Sequence, residues 1–191
     1  MEIFSISIIL QIVILLNPLA SVGVLFSAFK KGFNVKKMAL QAVITAFFIA
    51  LTIIFLGPSL FKVFNVTIDS FRIAGGIVIL FLGIQTIWPS TEEKNKEIKK
   101  FDSLTSLIAT PLLTGPATIS FLTIKSLELE KVYLVGNLLI SFLIVGTIFF
   151  IFAYLIKKIN LRFVNILSKI IGLFLVAMAV EMITLGIKNI F

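Results

Sequence analysis

The chain has 191 residues, of which 59% are hydrophobic and 14% are charged, and its formal net charge is +8. Soluble domains average about 45–50% apolar and about 25% charged residues, so the apolar excess must face lipid. Cysteine and histidine are both absent, which excludes disulfides, histidine–metal sites and histidine-based catalytic triads, and we expect no metal or cofactor.

Six apolar stretches are long enough to cross a bilayer, for which about 20 residues are needed. They cover Ile3–Phe29, Met38–Leu56, Val66–Trp88, Leu104–Lys125, Val132–Leu155 and Val164–Ile187. We therefore predict an all-α integral membrane protein with six transmembrane helices. Gly57-Pro58 is predicted to end or kink the second span, and Trp88-Pro89 to end the third at the membrane interface.

The first span is interrupted near its middle by Asn17-Pro18, and the fourth by Thr110-Pro111 and again by Gly115-Pro116. Asn and Thr are good N-cap residues and Pro is favoured at the first helical position, so we predict that new half-helices begin at Pro18 and Pro111. Each proline leaves a carbonyl four residues earlier without its donor, at Ile14 for the first break. Hydrocarbon tolerates such breaks only where protein or a water-filled cavity surrounds them.

The basic residues lie in short loops, which favours a membrane protein over a nucleic-acid-binding one. One side of the predicted membrane carries twelve of them: Lys30, Lys31, Lys36, Lys37, Lys94, Lys96, Lys99, Lys100, Lys157, Lys158, Arg162 and Lys169. The other side carries five: Lys62, Arg72, Lys125, Lys131 and Lys188. The positive-inside rule predicts a multi-pass protein of the cell membrane with both termini outside and the 91–103 loop in the cytoplasm.

The chain divides into a first repeat at 1–90, a linker at 91–103 and a second repeat at 104–191, which form one membrane domain. Because three spans is an odd number, two similarly folded halves enter the membrane in opposite senses, as an inverted-topology repeat. Local matches support this reading. Asn17-Pro18 matches Thr110-Pro111, and Gly76 precedes Gln85 by nine residues as Gly172 precedes Glu181.

The half-helix N-termini would direct free N–H groups and positive dipole ends into the membrane centre, where they suit a carboxylate. Hydroxyl and amide side chains near the breaks would add hydrogen bonds. The candidate substrate-binding residues are Asn17, Pro18, Ser21, Thr110, Pro111, Thr114, Gly115 and Pro116. The alternative is an ordinary proline kink whose free carbonyls are satisfied by Ser, Thr or water.

Further polar and small residues mark the third and sixth spans. Helix packing close beside the site is predicted for Gly75, Gly76, Gln85 and Gly172. Asp69 and Arg72, three residues apart, are predicted to pair on one helix face. Glu181 lies well inside the sixth span, where an ionisable group costs at least about 2.5 kcal/mol to insert. It is a candidate carrier of a coupled proton, or else a neutral acid that donates one hydrogen bond.

Four runs resemble the MarC family of six-span membrane proteins: NPLASVGVLF (17–26), FRIAGGIVILFLG (71–83), PLLTGPATIS (111–120) and GLFLVAMAVEMITLGI (172–187). The resemblance implies a proton-driven secondary transporter of small neutral amino acids such as glycine and alanine, with Asn17-Pro18 and Pro111–Pro116 as signature elements. The chain departs from the family at Ala117, where Gly is usual, and at Glu181, where Gln is usual.

No set of residues for enzyme catalysis is recognisable, because an aspartyl protease needs two buried aspartates and both aspartates here lie near span ends. We therefore predict alternating access around a midplane site between the two breaks, with the bilayer, the amino acid and protons as partners. Two alternatives remain open: export of other small metabolites or drugs, and a non-transporting scaffold. The sequence leaves the oligomeric state open.

Overall fold

Every element of the described chain is helical, and several helices begin at capping side chains. A computed structural model describes residues 4–88 and 115–190. The elements are α1 (Ile6–Leu16), α2 (Pro18–Lys30), α3 (Val35–Phe64), α4 (Ile68–Ile87), α5 (Pro116–Glu128), α6 (Lys131–Tyr154), a short 3-10 helix (Ile156–Lys158) and α7 (Leu161–Ile190). The side chains of Ser5, Asn34 and Thr67 each accept a hydrogen bond from a backbone N–H of the first turn that follows.

Five helical stretches of the described residues are long and apolar enough to span a membrane: 6–30, 35–59, 68–87, 131–154 and 161–190. They confirm the first, second, third, fifth and sixth predicted spans to within a few residues at most ends. Of the fourth predicted span, only the part from Gly115 onward lies within the described residues, where it forms α5. The predicted all-α architecture is therefore confirmed.

The second span continues beyond the point where the sequence predicted its possible end. α3 runs through Pro58 to Phe64 and ends at Asn65, whose left-handed backbone (φ 50°) lets its N–H cap the Phe61 carbonyl. Pro58 only removes the donor for the Ile54 carbonyl, a local loss that packing of the surrounding helix outweighs. Gly57 has a packing role instead, because a methyl group placed on it would lie 2.8 Å from Thr123 Cγ2 of α5.

α4 and α7 form the most extensive helix pair of the described chain, and they pack antiparallel. Gly76 lies against the Ala179 carbonyl and Gly83 against the Gly172 carbonyl, so small residues bring the two backbones together. Gly76 and Gly172, both predicted to pack helices beside the site, lie at this close contact, and their relation to a site stays a prediction. Around this pair, α2 packs on α6 and α7, whereas α5 packs on α3 and α4.

Candidate functional site

The first span breaks at Asn17, as predicted. α1 ends at Leu16, Asn17 adopts a left-handed backbone (φ 43°, ψ 60°), and α2 begins at Pro18. Asparagine enters this conformation more readily than most residues do. The Asn17 N–H donates to the Ile14 carbonyl at 3.2 Å and to the Val13 carbonyl at 3.3 Å, so the prediction that the Ile14 carbonyl lacks a donor is wrong.

The side chain of Asn17 holds the two half-helices and α4 together. Its Oδ1 accepts from the Ala20 N–H at 3.3 Å, which caps α2, and its Nδ2 donates to Thr86 Oγ1 of α4 at 3.3 Å. Thr86 in turn donates to the Leu82 carbonyl at 2.7 Å. Because Asn17 is only 5% exposed, both ends of its amide are committed to the protein, and α2 begins with a capped N-terminus.

α5 begins at Pro116, the second interruption that the sequence predicts for the fourth span, and it matches α2 in form. Both half-helices have 13 residues and both begin with a proline, at Pro18 and at Pro116. The N-cap residue of α5 is Gly115, in extended conformation, and no side chain among the described residues caps the helix. A methyl group placed on Gly115 would meet no atom of residues 4–88 and 115–190 within 4 Å.

Thr118 lies in the first turn of α5 and is 1% exposed. In the described part of the chain, its Oγ1 is the buried side-chain polar atom without a hydrogen-bond partner. Two other buried hydroxyls of α5 are satisfied within the helix: Thr123 donates to the Ile119 carbonyl and Ser126 to the Thr123 carbonyl, each at 2.7 Å. An unpartnered buried hydroxyl costs about 1–3 kcal/mol, so Thr118 is a polar group available to a ligand.

The uncapped start of α5 carries two further donors beside that hydroxyl. The first N–H groups of a helix have no partner within it, and Pro116 has no N–H, so Ala117 and Thr118 supply the backbone donors of this end, and neither bonds to another described residue. With the positive end of the helix dipole, they form a small cluster that suits an anionic oxygen. Sequence analysis missed Thr118. The signal was a threonine two residues after Pro116, within the first turn of a helix that this proline starts.

The other predicted site residues occupy different surroundings. Ser21 is buried in the first turn of α2, and Gln85 lies on an exposed part of α4. Gly75 packs against α5, since a methyl group on it would lie 2.8 Å from Ser120 Cβ. Thr110, Pro111 and Thr114 lie outside the described residues. The residues that the structure places around Asn17 therefore include Thr86, which sequence analysis also missed.

Glu181 lies on the exposed face of α7, away from the buried face that includes Gly172 and Ala179. It forms no hydrogen bond or ion pair with any described residue. Its side chain therefore faces outward from this bundle rather than toward Asn17, and a proton role for it remains a prediction.

The predicted pair of Asp69 and Arg72 is part of a larger polar network at one end of the bundle. Arg72 donates to Asp69 Oδ1 at 2.6 Å and to Glu128 of α5, Lys125 contacts Glu128 at 2.7 Å, and Asn189 of α7 donates to Asp69 at 3.0 Å. The network ties the C-terminal end of α5 to α4.

Glu128 lies three residues beyond Lys125, the predicted end of the fourth span. Burial raises the pKa of its carboxyl, but the hydrogen bonds from Lys125 and Arg72 outweigh burial, so this pKa lies below its ordinary value. Glu128 is therefore ionised at neutral pH, as its ion pairs require.

Comparison with known proteins gives the same family along the whole chain. The model of the MarC family integral membrane proteins matches residues 2–191. A UPF0056 membrane protein of Buchnera aphidicola subsp. Baizongia pistaciae is 28% identical over 100% of this chain and 98% of its own length. The UPF0056 membrane protein YhcE of Escherichia coli is 29% identical, over 93% of this chain and 88% of its own.

An archaeal relative extends the same pattern. A UPF0056 membrane protein of Methanocaldococcus jannaschii is 30% identical over 79% of this chain and 71% of its own. No solved structure matches the chain. The family match covers both breaks, the glycine-paired helices and the terminal polar network, and the chain belongs to the MarC family of integral membrane proteins.

Proposed function

We propose that this protein is a secondary transporter of small neutral amino acids, glycine and alanine among them, that works by alternating access and is driven by the proton gradient. The observation that carries the proposal is the pair of 13-residue half-helices that begin at Pro18 and Pro116. Broken spans of this kind form the substrate sites of many transporter folds. A scaffold needs neither break.

The start of α5 is the proposed carboxylate site. Every amino acid carries a carboxylate, and the N–H groups of Ala117 and Thr118 together with the Thr118 hydroxyl offer three donors in one turn. No described atom lies within 4 Å of a methyl group placed on Gly115, which supports the entry of a small ligand. On the other half-helix, Asn17 already caps α2, so we assign it the role of holding the break open rather than that of binding the carboxylate.

The paired glycines support the inverted repeat. A methyl group on Gly76 would lie 2.6 Å from Ile183 Cγ1, and one on Gly172 would lie 2.8 Å from Ile87 Cγ1. Residue 172 lies 96 positions after residue 76, and residue 183 lies 96 positions after residue 87. The contact between residues 76 and 183 in one half therefore corresponds to the contact between residues 172 and 87 in the other. The cross-packing of α2 and α5, each on the second and third spans of the other half, follows the same two-fold relation.

Alternating access in this scheme is a rocking of one half against the other around the α4–α7 pair. In the proposed orientation, both termini and the Arg72–Glu128 network lie outside and the 91–103 loop lies in the cytoplasm. Glu181 is the proposed proton carrier, and its exposed position means that the proton would be exchanged at the surface of this bundle.

The test is uptake of radiolabelled alanine and glycine into proteoliposomes, with and without an imposed pH gradient. The proposal predicts accumulation that follows the gradient, and loss of the pH dependence in Glu181→Gln with exchange of alanine retained. Neither uptake nor counterflow exchange by a folded, inserted protein would contradict transport of these substrates and favour another cargo or a scaffold.

A further inference from the structure

A cavity of about 540 Å³ lies at the end of the bundle opposite the Arg72–Glu128 network. It lies between the start of α3 and the end of α6 with the 3-10 helix that follows. Its wall includes Phe33 and Lys36 on one side and Tyr154, Lys157 and Lys158 on the other. The proposed transport function makes no use of this cavity.

Three lysines give the cavity a positive charge that no carboxylate of the described residues balances. Lys36, Lys157 and Lys158 are exposed, and none of them forms an ion pair in residues 4–88 and 115–190. The Lys36 ammonium lies 4.4 Å from the centre of the Tyr154 ring, which holds one charge at the cavity wall. Converging positive charges without carboxylates attract an anion.

An apolar groove of about 740 Å³ continues from this cavity along the lipid-facing surface between α3 and α6. The two spaces share Tyr154 and Leu155 as lining residues, and Leu40, Leu143 and Phe150 line the groove farther into the membrane. From Leu143 to Leu155 the helix rises about 18 Å, at 1.5 Å per residue. Half of the hydrocarbon thickness is about 15 Å, so the groove is as deep as one leaflet.

We propose that the cavity and groove together bind one anionic phospholipid, with its phosphate among Lys36, Lys157 and Lys158 and an acyl chain in the groove. The charge selects an anion, and the groove selects a lipid over free phosphate, because the groove begins at the charged cavity and its apolar side chains are exposed toward the bilayer. Basic pockets between transmembrane helices bind anionic headgroups by the same chemistry.

The test is native mass spectrometry of the full-length chain in detergent, titrated with dioleoylphosphatidylglycerol and separately with dioleoylphosphatidylcholine. Each lysine near a membrane surface strengthens anionic binding about five-fold, so Lys157→Gln with Lys158→Gln is expected to weaken phosphatidylglycerol binding about 25-fold. The matched control is Lys131→Gln with Lys188→Gln, which removes the same charge from the opposite end and is expected to leave the affinity unchanged.

A second variant separates a lipid from a free anion. Thr147 lines the groove and donates only to its own helix at Leu143, so Thr147→Phe fills the groove without removing any contact to the lysines. Weaker phosphatidylglycerol binding in this variant, with no displacement by inorganic phosphate, supports the proposal. Equal affinities for the two lipids, equal losses in the two double variants, or displacement by millimolar phosphate would overturn it.

Discussion

The two half-helices α2 and α5 have the same length and both begin with proline, yet they differ in capping at the N-terminus and in ion pairing at the C-terminus. α2 begins with a side-chain cap from Asn17. α5 begins at Pro116 after the N-cap residue Gly115, and in the described residues it has no side-chain cap and the buried Thr118 hydroxyl has no partner. At the other end, Glu128 ties α5 to Arg72 of α4, whereas Lys30 of α2 has only the Phe26 ring within its own helix in the described residues.

This difference separates two roles that a symmetrical repeat would share. A capped N-terminus has used its donors and is suited to hold a fixed break, whereas an open N-terminus keeps its donors for a ligand. The half-helix that offers the site is also the one fastened at its far end by ion pairs. We therefore read α2 as the supporting half-helix and α5 as the binding half-helix.

The largest effect is expected from Asn17→Leu. Leucine cannot cap α2, which costs about 1 kcal/mol, and it enters the left-handed conformation at a further cost of about 1–2 kcal/mol. Thermal unfolding in detergent should show a large fall in stability, and alanine uptake should be lost. Asn17→Gly is the control for the backbone, because glycine accepts the left-handed conformation. Full uptake by Asn17→Leu would mean that the break has no role in transport.

Thr118→Val tests the open end of α5 directly. Valine has the shape of threonine without the hydroxyl, and a hydrogen bond to a charged group contributes about 1.5–3 kcal/mol, so alanine affinity should fall about 10-fold or more. The folded protein should be at least as stable, since a buried unpaired hydroxyl is removed. Thr123→Val on the same helix is the matched control, because its hydroxyl is bonded within α5. Equal affinities in the two variants, measured by equilibrium binding of radiolabelled alanine, would contradict the assignment.

Gly115→Asn gives α5 the same type of N-cap residue that α2 has at Asn17. The amide would cap the free N–H groups and compete with a carboxylate, so alanine affinity should fall a few-fold while stability rises by a few tenths of a kcal/mol. Gly115→Ala is the control, since alanine adds no acceptor and its methyl group meets no described atom within 4 Å. The same binding assay separates the two, and an unchanged affinity in Gly115→Asn would argue against ligand donors at this end.

The smallest effect is expected from Glu128→Gln. Partly exposed ion pairs contribute about 0–1 kcal/mol each, so the loss in stability at pH 7 should be small. Because the pKa of Glu128 is lowered in the folded state, its contribution is present above the ordinary value of 4.5 and is lost as the pH falls through the lowered pKa. Unfolding measured from pH 7 to pH 3 should show the two proteins converge at low pH. Lys30→Gln should show no such convergence.

Much of the fold was predictable because membrane spans leave a strong signal in composition. Five spans, the break at Asn17 and the Asp69–Arg72 pair follow from hydrophobic length, capping preference and helical spacing. The path of α3 through Pro58 was not predictable from local rules, because tertiary packing around Gly57 decides whether one missing hydrogen bond ends a helix.

The candidate site was only partly predictable. The sequence indicated where the chain breaks but not which side chains satisfy the break, because partners such as Thr86 lie far away along the chain. The unpartnered hydroxyl of Thr118 could not be predicted either. A threonine in a helix commonly donates to a backbone carbonyl of the preceding turn. Only the folded geometry shows that the Thr118 hydroxyl makes no such bond in the described residues.

The most direct test of the binding role of α5 is cysteine labelling at Gly115. The chain contains no cysteine, so Gly115→Cys carries a single thiol. Labelling by a water-soluble, membrane-impermeant maleimide, measured in proteoliposomes, should be slowed by alanine and unaffected by alaninamide, which lacks the carboxylate. The control is Ala20→Cys in the capped first turn of α2, which alanine should not protect. Labelling at Gly115→Cys that alanine leaves unchanged would contradict the account.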